Sequence, residues 1–326
     1  MPKKMLTGFR PTGKLHLGHL HGNIKNMIEN QEKYENYFFL VDWHALSTEY
    51  QDPGNIKKNL IECATDLIAL GINPDITHLY RQSDIPAIPE LTLYLSMITP
   101  LSWLERCPTY KEQIKELKAK DLSTLGFFSY PVLMAADILI VNSDIIPVGE
   151  DQLPHLEITR EIARRFNHLY GEYFSEPQAL LSKSKRVPGT DGRKMSKSYG
   201  NAIFLSDDPG TIKKKVRQMV TDPERIRKTD PGHPEVCNVF EFYKIYCPEE
   251  LPGIEERCRK GEIGCTSCKD EIASTISGSL EEFREKREQL LNDKKLIYDI
   301  LEAGSDFVNK VAASVISDVR NRMGID

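Results

Sequence analysis

The sequence predicts an α/β protein in which a doubly wound parallel sheet is followed by a mostly helical C-terminal domain. Up to about residue 200, short apolar runs alternate with longer amphipathic segments, which is the order expected for a parallel sheet covered by helices. Beyond residue 201 the apolar runs disappear and charged amphipathic stretches replace them. We therefore expect two domains, residues 1–200 and residues 201–326.

Short apolar runs bounded by turn residues predict the strands. The first run ends where Pro11 and Gly13 break the extended chain. Residues 138–141 fit either the end of a helix or a strand, because the periodicity of so short a run does not separate the two. The predicted strands are 5–9, 37–41, 76–80 and 145–148.

Helical periodicity occupies the intervals between these strands and most of the C-terminal domain. In a doubly wound sheet, ligands bind at the carboxyl ends of the strands. The residues that follow positions 9, 41 and 148 are therefore candidates for ligand binding. The predicted helices are 18–30, 53–70, 88–97, 152–166, 279–291 and 294–322.

Composition limits the class of protein. The chain has 326 residues, of which 40% are hydrophobic, enough for a substantial core. It has no apolar run of membrane-spanning length and its first residues turn polar too soon for a signal peptide, so we expect a cytoplasmic protein with no membrane partner. Its net charge of −5 means that an RNA partner would need local basic patches, such as Lys213, Lys214 and Lys215.

The first motif that carries chemistry is His16-Leu17-Gly18-His19, placed where a helix should begin. A helix N-terminus attracts phosphate through its free N–H groups and its dipole. His16 and His19 share one helical face and can both donate to phosphate oxygens, and Gly18 lets a flat adenine approach the backbone. The alternative is a surface turn with two solvated histidines.

The second motif is Lys194-Met195-Ser196-Lys197-Ser198, which follows a loop rich in glycine. Glycines on both sides indicate a loop that can close over a ligand. Lys194 and Lys197 supply the positive charge that would stabilise a departing pyrophosphate. The alternative is a mobile basic loop without a ligand. The two motifs together predict a catalytic clamp on the triphosphate of ATP.

With both motifs in this order, the chain resembles the class I aminoacyl-tRNA synthetases, and over essentially its whole length the bacterial tryptophanyl-tRNA synthetase family. The resemblance implies a Rossmann-type catalytic domain in residues 1–200, an anticodon-binding domain in residues 201–326 and a homodimer. It implies ATP with Mg²⁺, L-tryptophan and tRNA(Trp) as reactants, and Asp151 as the contact to the ATP ribose. The implied ATP-binding residues are Arg10, Thr12, Gly18, His19, Gly149, Asp151, Lys194, Met195, Ser196 and Lys197.

The candidate for selecting the substrate amino acid is one helical face, formed by Tyr130, Met134 and Asp137. A carboxylate in such an apolar stretch needs a donor, and an indole N–H is a donor only. The resemblance places the indole contact at Asp137. The alternative is an aspartate that pairs within its own helix. The other tryptophan-binding residues that the resemblance implies are Leu6, His44 and Gln152.

Three alternatives remain for the function. The tyrosyl-tRNA synthetases share both ATP motifs, but they usually carry other residues at the positions of Leu6, Arg10 and Met134, which favours tryptophan. A small-molecule nucleotidyltransferase would not need the long helical domain. A non-catalytic RNA-binding paralogue would be expected to have lost the phosphate motifs, and both are intact here.

Five of the seven cysteines lie between Cys237 and Cys268, and Cys258, Cys265 and Cys268 follow one another with gaps of six and two residues. Four thiolates can hold a [4Fe–4S] cluster or a structural zinc, and reduced thiols without metal are the third reading. The resemblance favours the iron–sulfur subgroup of the family, with Cys237, Cys258, Cys265 and Cys268 as ligands. Cys247 is the alternative first ligand.

Overall fold

The computed structural model describes residues 2–108, 121–181 and 187–326. The described residues form a parallel sheet of five strands. Gly8 lies opposite Phe39 in one neighbouring pair of strands, and Met5 lies opposite Ile145 in another. The strands are β1 (Lys4–Phe9), β2 (Glu35–Leu40), β3 (Thr77–Arg81), β4 (Ile145–Val148) and β5 (Gln178–Leu181). Their spatial order in the sheet is β3-β2-β1-β4-β5.

Helices connect the strands and make up most of the chain beyond β5. Short 3₁₀ turns follow two of the strands, Gln82–Asp84 after β3 and Glu150–Gln152 after β4. The α-helices are α1 (Leu17–His19), α2 (Lys25–Asn30), α3 (Asp42–Glu49), α4 (Ile56–Ala69), α5 (Ala87–Ile98), α6 (Leu101–Glu105), α7 (Leu125–Phe128), α8 (Tyr130–Leu139), α9 (Leu153–Tyr170), α10 (Pro209–Arg217), α11 (Asn238–Tyr246), α12 (Leu251–Arg259), α13 (Cys265–Ser279), α14 (Glu281–Asn292) and α15 (Lys294–Met323).

The structure confirms the predicted fold class, a parallel sheet covered by helices and followed by a helical C-terminal region. Each predicted strand is present, and the ambiguous run 138–141 is the end of α8. The first predicted helix is divided by a π-helical segment, Leu20–Ile24, that lies between α1 and α2. Strand β5 was not predicted, because this edge strand is short and only partly buried.

The first of two compact units contains the sheet and comprises Met1–Gly13, Asn26–Lys183 and Leu290–Asp326. Helix α15 belongs to this unit, and it packs closely on β3. The backbone of Gly304 approaches Leu79 so closely that a Cβ on Gly304 would lie 2.0 Å from the carbonyl oxygen of Leu79. Buried side chains of the strands, α5, α8, α9 and α15 form one hydrophobic core.

The second unit comprises Lys14–Lys25 and Ser184–Gln289. It contains both phosphate motifs and the five clustered cysteines. This division differs from the predicted boundary at residue 200, because the histidine motif groups with the segment beyond residue 184 while α15 groups with the sheet. None of the helices in the described residues is both long and apolar enough to cross a membrane.

Candidate active site

Backbone hydrogen bonds hold the histidine motif against a segment that follows the lysine motif, within the second unit. The N–H of Leu17 donates to the carbonyl of Ile203 at 3.0 Å, and the N–H of Leu205 donates to the carbonyl of Leu15 at 3.0 Å. His16 lies between these bonds, in an antiparallel bridge with Phe204. These bonds explain how two motifs about 180 residues apart in sequence come together.

The two histidines of the motif stack on each other, with ring centroids 3.6 Å apart. The backbone N–H of His16 donates to Nδ1 of His19 at 3.1 Å, so Nδ1 carries no proton and the neutral ring has its proton on Nε2. Burial, and then the charge of Lys197, lower the pKa of His16 to about 4. Burial, then His16 and Lys197, lower the pKa of His19 well below its usual value. Both rings are therefore neutral N–H donors at pH 7.

The side chain of Asn201 organises the lysine loop. Its Oδ1 accepts the backbone N–H of Ser196 at 2.8 Å, and its Nδ2 donates to the carboxylate of Asp191 at 2.7 Å and to the carbonyl of Lys194 at 3.2 Å. Asn201 is almost fully buried. The amide therefore fixes the backbone from which Lys194 and Lys197 extend.

The two motifs converge as the sequence predicted. Met195 is buried, and a Cβ on Gly18 would lie 3.5 Å from its Cβ. The charge of Lys197 acts on both His16 and His19. Lys194 is exposed and Lys197 is half-buried. The four side chains predicted to bind phosphate thus belong to one compact unit, with two neutral donors from the helix and two lysines from the loop.

Asp137 lies at the centre of a buried polar network in the first unit. It is 1% exposed. The amide Nε2 of Gln82 lies 2.8 Å from Oδ1 and 2.9 Å from Oδ2 of Asp137, and Nε2 of His44 lies 2.8 Å from Oδ2. Burial raises the pKa of Asp137, and the hydrogen bonds from His44 and then Gln82 oppose that rise.

Tyr130 lies beside this network, at the start of α8. Its ring centroid is 4.2 Å from that of His44 and 5.2 Å from that of His155. Burial raises the pKa of Tyr130; the charge of Arg10 acts against this rise, and that of Asp137 adds to it. Tyr130 and Asp137 therefore lie in one region, as their spacing on the helix predicted.

Arg10 follows strand β1 and is directed toward helix α3. Its Nη2 donates to the carbonyl of His44 at 2.6 Å and to Oγ1 of Thr48 at 2.9 Å. Its Nε is buried and has no partner among the described residues, and the same is true of Nδ1 of His44. Two buried polar atoms thus remain available beside the carboxylate network.

Gly149, Asp151 and Gln152 lie at the carboxyl end of β4, where a 3₁₀ turn leads into α9. Nε2 of Gln152 donates to Asp151 at 2.8 Å, and its Oε1 lies 3.2 Å from Nδ1 of His155. Asp151 is exposed. The strand order β3-β2-β1-β4-β5 reverses direction between β1 and β4. Doubly wound sheets bind ligands at the carboxyl ends of the strands beside such a reversal.

Of the remaining predicted residues, Leu6 is buried in the sheet, and Met134 is half-buried and packs against the same core. Thr12 donates its backbone N–H to the carbonyl of Arg10 at 2.8 Å. Gln82 and Asn201 were not predicted from the sequence. A neutral amide has no distinctive sequence pattern, and the only available signal was that Gln82 directly follows a strand.

Four cysteines of the second unit influence one another electrostatically. Burial raises the pKa of Cys268 to about 12. The hydrogen bond with Tyr243 opposes this rise, and the thiols of Cys237 and Cys258 add to it. Cys265 acts on Cys237 and on Cys258. Nη1 of Arg225 lies 3.8 Å from Sγ of Cys258 and 3.9 Å from Sγ of Cys265.

Cys247 is separate from this group. Burial raises the pKa of Cys247, the hydrogen bond with Thr275 opposes this rise, and Glu250 adds to it. None of the four other cysteines contributes to this shift. Across residues 2–108, 121–181 and 187–326, no group of three or more His, Cys, Asp or Glu side chains is arranged to hold a metal ion.

Comparison with known proteins identifies the family. The family model for class I tRNA synthetases (W and Y) matches residues 1–281. The tryptophan–tRNA ligase of Thermotoga maritima is 44% identical, over 99% of both chains. The tryptophan–tRNA ligase of Aquifex aeolicus is 40% identical, over 99% of this chain and 100% of its own.

Solved structures agree with the sequence comparison. Tryptophanyl-tRNA synthetase from Campylobacter jejuni, in complex with ADP and tryptophan, is 36% identical and superposes with a TM-score of 0.91 over 98% of this chain and 99% of that chain. The enzyme from Mycoplasma pneumoniae is 27% identical, with a TM-score of 0.82 over 100% and 99% of the two chains. The chain described here belongs to the tryptophan–tRNA ligases, within the class I tRNA synthetases.

Proposed function

We propose that the protein activates tryptophan with ATP and transfers it to tRNA(Trp). The carboxylate of tryptophan attacks the α-phosphate of ATP, and pyrophosphate leaves. The terminal adenosine hydroxyl of the tRNA then attacks the acyl carbonyl of the adenylate, and AMP leaves as the ester forms. The observation that carries this proposal is the convergence of the histidine and lysine motifs within one unit. Positioning and electrostatic stabilisation account for the rate, and no covalent nucleophile is needed.

The second unit supplies the contacts to the triphosphate. His16 and His19 donate hydrogen bonds from neutral rings, which fits their lowered pKa values. Lys194 and Lys197 stabilise the charge that develops on pyrophosphate, and Met195 and Ser196 line the same loop. Gly18 leaves room for the nucleotide. Mg²⁺ carried by ATP would neutralise part of the phosphate charge.

The first unit supplies the contacts to tryptophan and to the nucleoside. Asp137 accepts the indole N–H, and Leu6, Tyr130 and Met134 provide apolar surface beside it. His44 and Gln152 bind the substrate's polar end. We assign Arg10, Thr12, Gly149 and Asp151 to ATP, with Asp151 on the ribose.

We propose that Cys237, Cys258, Cys265 and Cys268 hold a [4Fe–4S] cluster in an anticodon-binding part of the second unit. Their mutual electrostatic influence supports this set, and Cys247 lies outside it. Four thiolates hold either a [4Fe–4S] cluster or a structural zinc, and the resemblance to the iron–sulfur subgroup of the family favours the cluster. Arg225 would compensate the charge of the thiolates.

We also propose that the protein is a cytoplasmic homodimer. The first unit exposes large apolar side chains in its described part: Leu93 and Met97 on α5, Leu101 on α6 and Leu125 on α7. Exposed apolar surface of this kind is typical of protein–protein interfaces. Sedimentation equilibrium should give the mass of two chains, and Met97→Asp should shift it toward one.

Amino-acid-dependent exchange of pyrophosphate into ATP tests the activity directly. Tryptophan should support exchange and tyrosine should not. The variant Asp137→Ala should raise the KM for tryptophan by roughly a hundredfold, while the KM for ATP changes little. Exchange with tyrosine alone, or no exchange with either amino acid, would refute the proposal.

A further inference from the structure

Both polar groups of the Gln82 side chain are hydrogen-bonded within the first unit. It lies in the turn after β3 and is 0% exposed. Its Oε1 accepts the backbone N–H of Trp43 at 3.1 Å and that of His44 at 3.4 Å. Its Nε2 bonds both carboxylate oxygens of Asp137. Because the oxygen faces two donors and the nitrogen faces a carboxylate, the orientation of the amide is determined.

This arrangement connects Asp137 to a backbone anchor. The N–H groups of Trp43 and His44 are in the first turn of α3, where the helix backbone offers them no acceptor, and the N–H of Trp43 also donates to Oδ1 of Asp42 at 3.1 Å. Oε1 of Gln82 accepts hydrogen bonds from these N–H groups, and Nε2 of the same amide donates to Asp137. The position of the carboxylate is therefore tied to the backbone of α3. A second donor, Nε2 of His44, reaches Oδ2 only.

The two oxygens of Asp137 therefore differ. Among the described residues, Oδ2 accepts from Gln82 and His44, whereas Oδ1 accepts from Gln82 alone. A carboxylate oxygen has two lone-pair positions, so Oδ1 keeps one acceptor position. The carboxylate cannot turn this oxygen away without breaking both bonds to Gln82.

We propose that Gln82 is a specificity-determining positioning residue, which fixes the Asp137 carboxylate so that Oδ1 faces the indole N–H of tryptophan. This inference rests on the proposed role of Asp137. A site built to accept a hydrogen bond rejects an analogue that lacks the donor, because its buried acceptor is then left without a partner. That rejection requires an acceptor that is held in place, which the two bonds from Gln82 provide. The hydrogen bond from Gln82 also opposes the rise that burial causes in the pKa of Asp137.

Ser83 offers a matched control in the same turn. Its Oγ donates to Oδ2 of Asp42 at 2.5 Å, and its backbone N–H donates to Oδ1 at 3.1 Å. Ser83 therefore ties the same turn to the same helix α3 as Gln82 does. Its side chain makes no contact with Asp137 in the described structure, so Ser83→Ala removes a comparable tie without touching the carboxylate.

The test compares tryptophan with β-(3-benzothienyl)alanine, in which sulfur replaces the indole N–H, as substrates for pyrophosphate exchange. The wild type should prefer tryptophan in kcat/KM by at least about a hundredfold. Gln82→Met should reduce this preference by roughly tenfold or more, mostly by weakening tryptophan. Ser83→Ala should leave the ratio unchanged. Thermal unfolding of each variant establishes that it is folded.

A second variant supplies a rescue. Gln82→Glu keeps an oxygen for the N–H groups of Trp43 and His44, but it places a carboxylate against Asp137. The preference for tryptophan should be lost at pH 8 and partly recovered near pH 5.5, where a proton is shared between the two carboxyl groups. A role confined to folding would not produce this pH dependence.

The outcomes separate the inference from the proposal on which it rests. A wild-type enzyme that uses both amino acids equally well would refute the role of Asp137. A wild-type enzyme that discriminates, together with a Gln82→Met variant that discriminates just as strongly, would refute the role of Gln82 alone. An equal loss of discrimination in Ser83→Ala would refute it as well.

Discussion

Gly18 presents bare backbone to the imidazole of His16: a Cβ on Gly18 would lie 2.9 Å from both Cε1 and Nδ1 of that ring. His16 is buried and stacked on His19, so the ring cannot move aside without disturbing its partner. The absence of a side chain at Gly18 is therefore required by the histidine pair as well as by a nucleotide.

The first prediction is that Gly18→Ala slows pyrophosphate exchange by about 10- to 100-fold, because it displaces His16 from the phosphate. Gly22 is the control, since a Cβ there would meet nothing within 4 Å. Gly22→Ala should retain nearly full activity. Equal activity of the two variants would show that the position of the His16 ring does not matter for catalysis.

The second prediction concerns Lys197, whose charge reaches both histidines. Lys197→Ala should lower kcat for pyrophosphate exchange by about 10²- to 10³-fold, the range expected when a group that stabilises transition-state charge is removed. The KM for tryptophan should change little. Lys214→Ala removes an exposed lysine of α10 and should have no effect on this tRNA-independent reaction.

Much of the fold follows from local pattern. The run at 37–41 is apolar throughout because both faces of β2 are buried, and the spacing of Tyr130 and Asp137 places them together because a helix brings such positions to one side. Strand β5 lacks this signal. It lies at the edge of the sheet with little burial, and its sequence shows no long apolar run.

Other features depend on contacts between distant parts of the chain. The periodicity of α15 predicts a helix but does not show that it packs on β3, since that follows from the approach of Gly304 to Leu79. Gln82 and Asn201 act through geometry alone, and an amide at either position has the same sequence appearance whether it is buried or solvated. The histidine and lysine motifs could be recognised in the sequence because their residue types and spacing are themselves what phosphate binding requires.

The third prediction uses two glycines within helices. Gly304→Ala should destabilise the protein by about 3 kcal/mol or more, because its Cβ would lie 2.0 Å from the backbone oxygen of Leu79, which cannot move freely. Gly278→Ala in α13 should stabilise it by a few tenths to about 1 kcal/mol, since a Cβ there meets nothing within 4 Å and alanine favours a helix. Urea unfolding measures both. A Gly304→Ala protein with an unchanged free energy of unfolding would show that the packing of α15 does not depend on this approach to the sheet.

The fourth prediction concerns pH and His155, which is buried in α9. Burial, and then the nearby His44, lower the pKa of His155 from 6.5 to about 4. Between these values the unfolded chain binds a proton that the folded protein does not, so stability falls as the pH drops through this window. At pH 5 the loss is up to about 2 kcal/mol.

The variant His155→Asn should therefore reduce the difference in unfolding free energy between pH 7 and pH 5, measured with urea. The remaining difference comes from the other groups with shifted pKa values, among them His16, His19 and His21, whose pKa values are also lowered. His168→Asn replaces an exposed histidine of the same helix and should leave the difference as it is in the wild type. A His155→Asn protein with the full wild-type pH dependence would contradict this account.

The fifth prediction concerns the cysteines. Protein purified without oxygen should be brown and contain iron, and Cys237→Ser should lose both the colour and the iron, because Cys237 interacts with Cys258, Cys265 and Cys268. Cys247→Ser should retain both, because Cys247 interacts with Thr275 and Glu250 instead. Metal analysis and the visible spectrum provide the measurement. Zinc in place of iron would show that the four thiolates hold a structural zinc. Iron retained by Cys237→Ser but lost from Cys247→Ser would show that Cys247 is the ligand in place of Cys237.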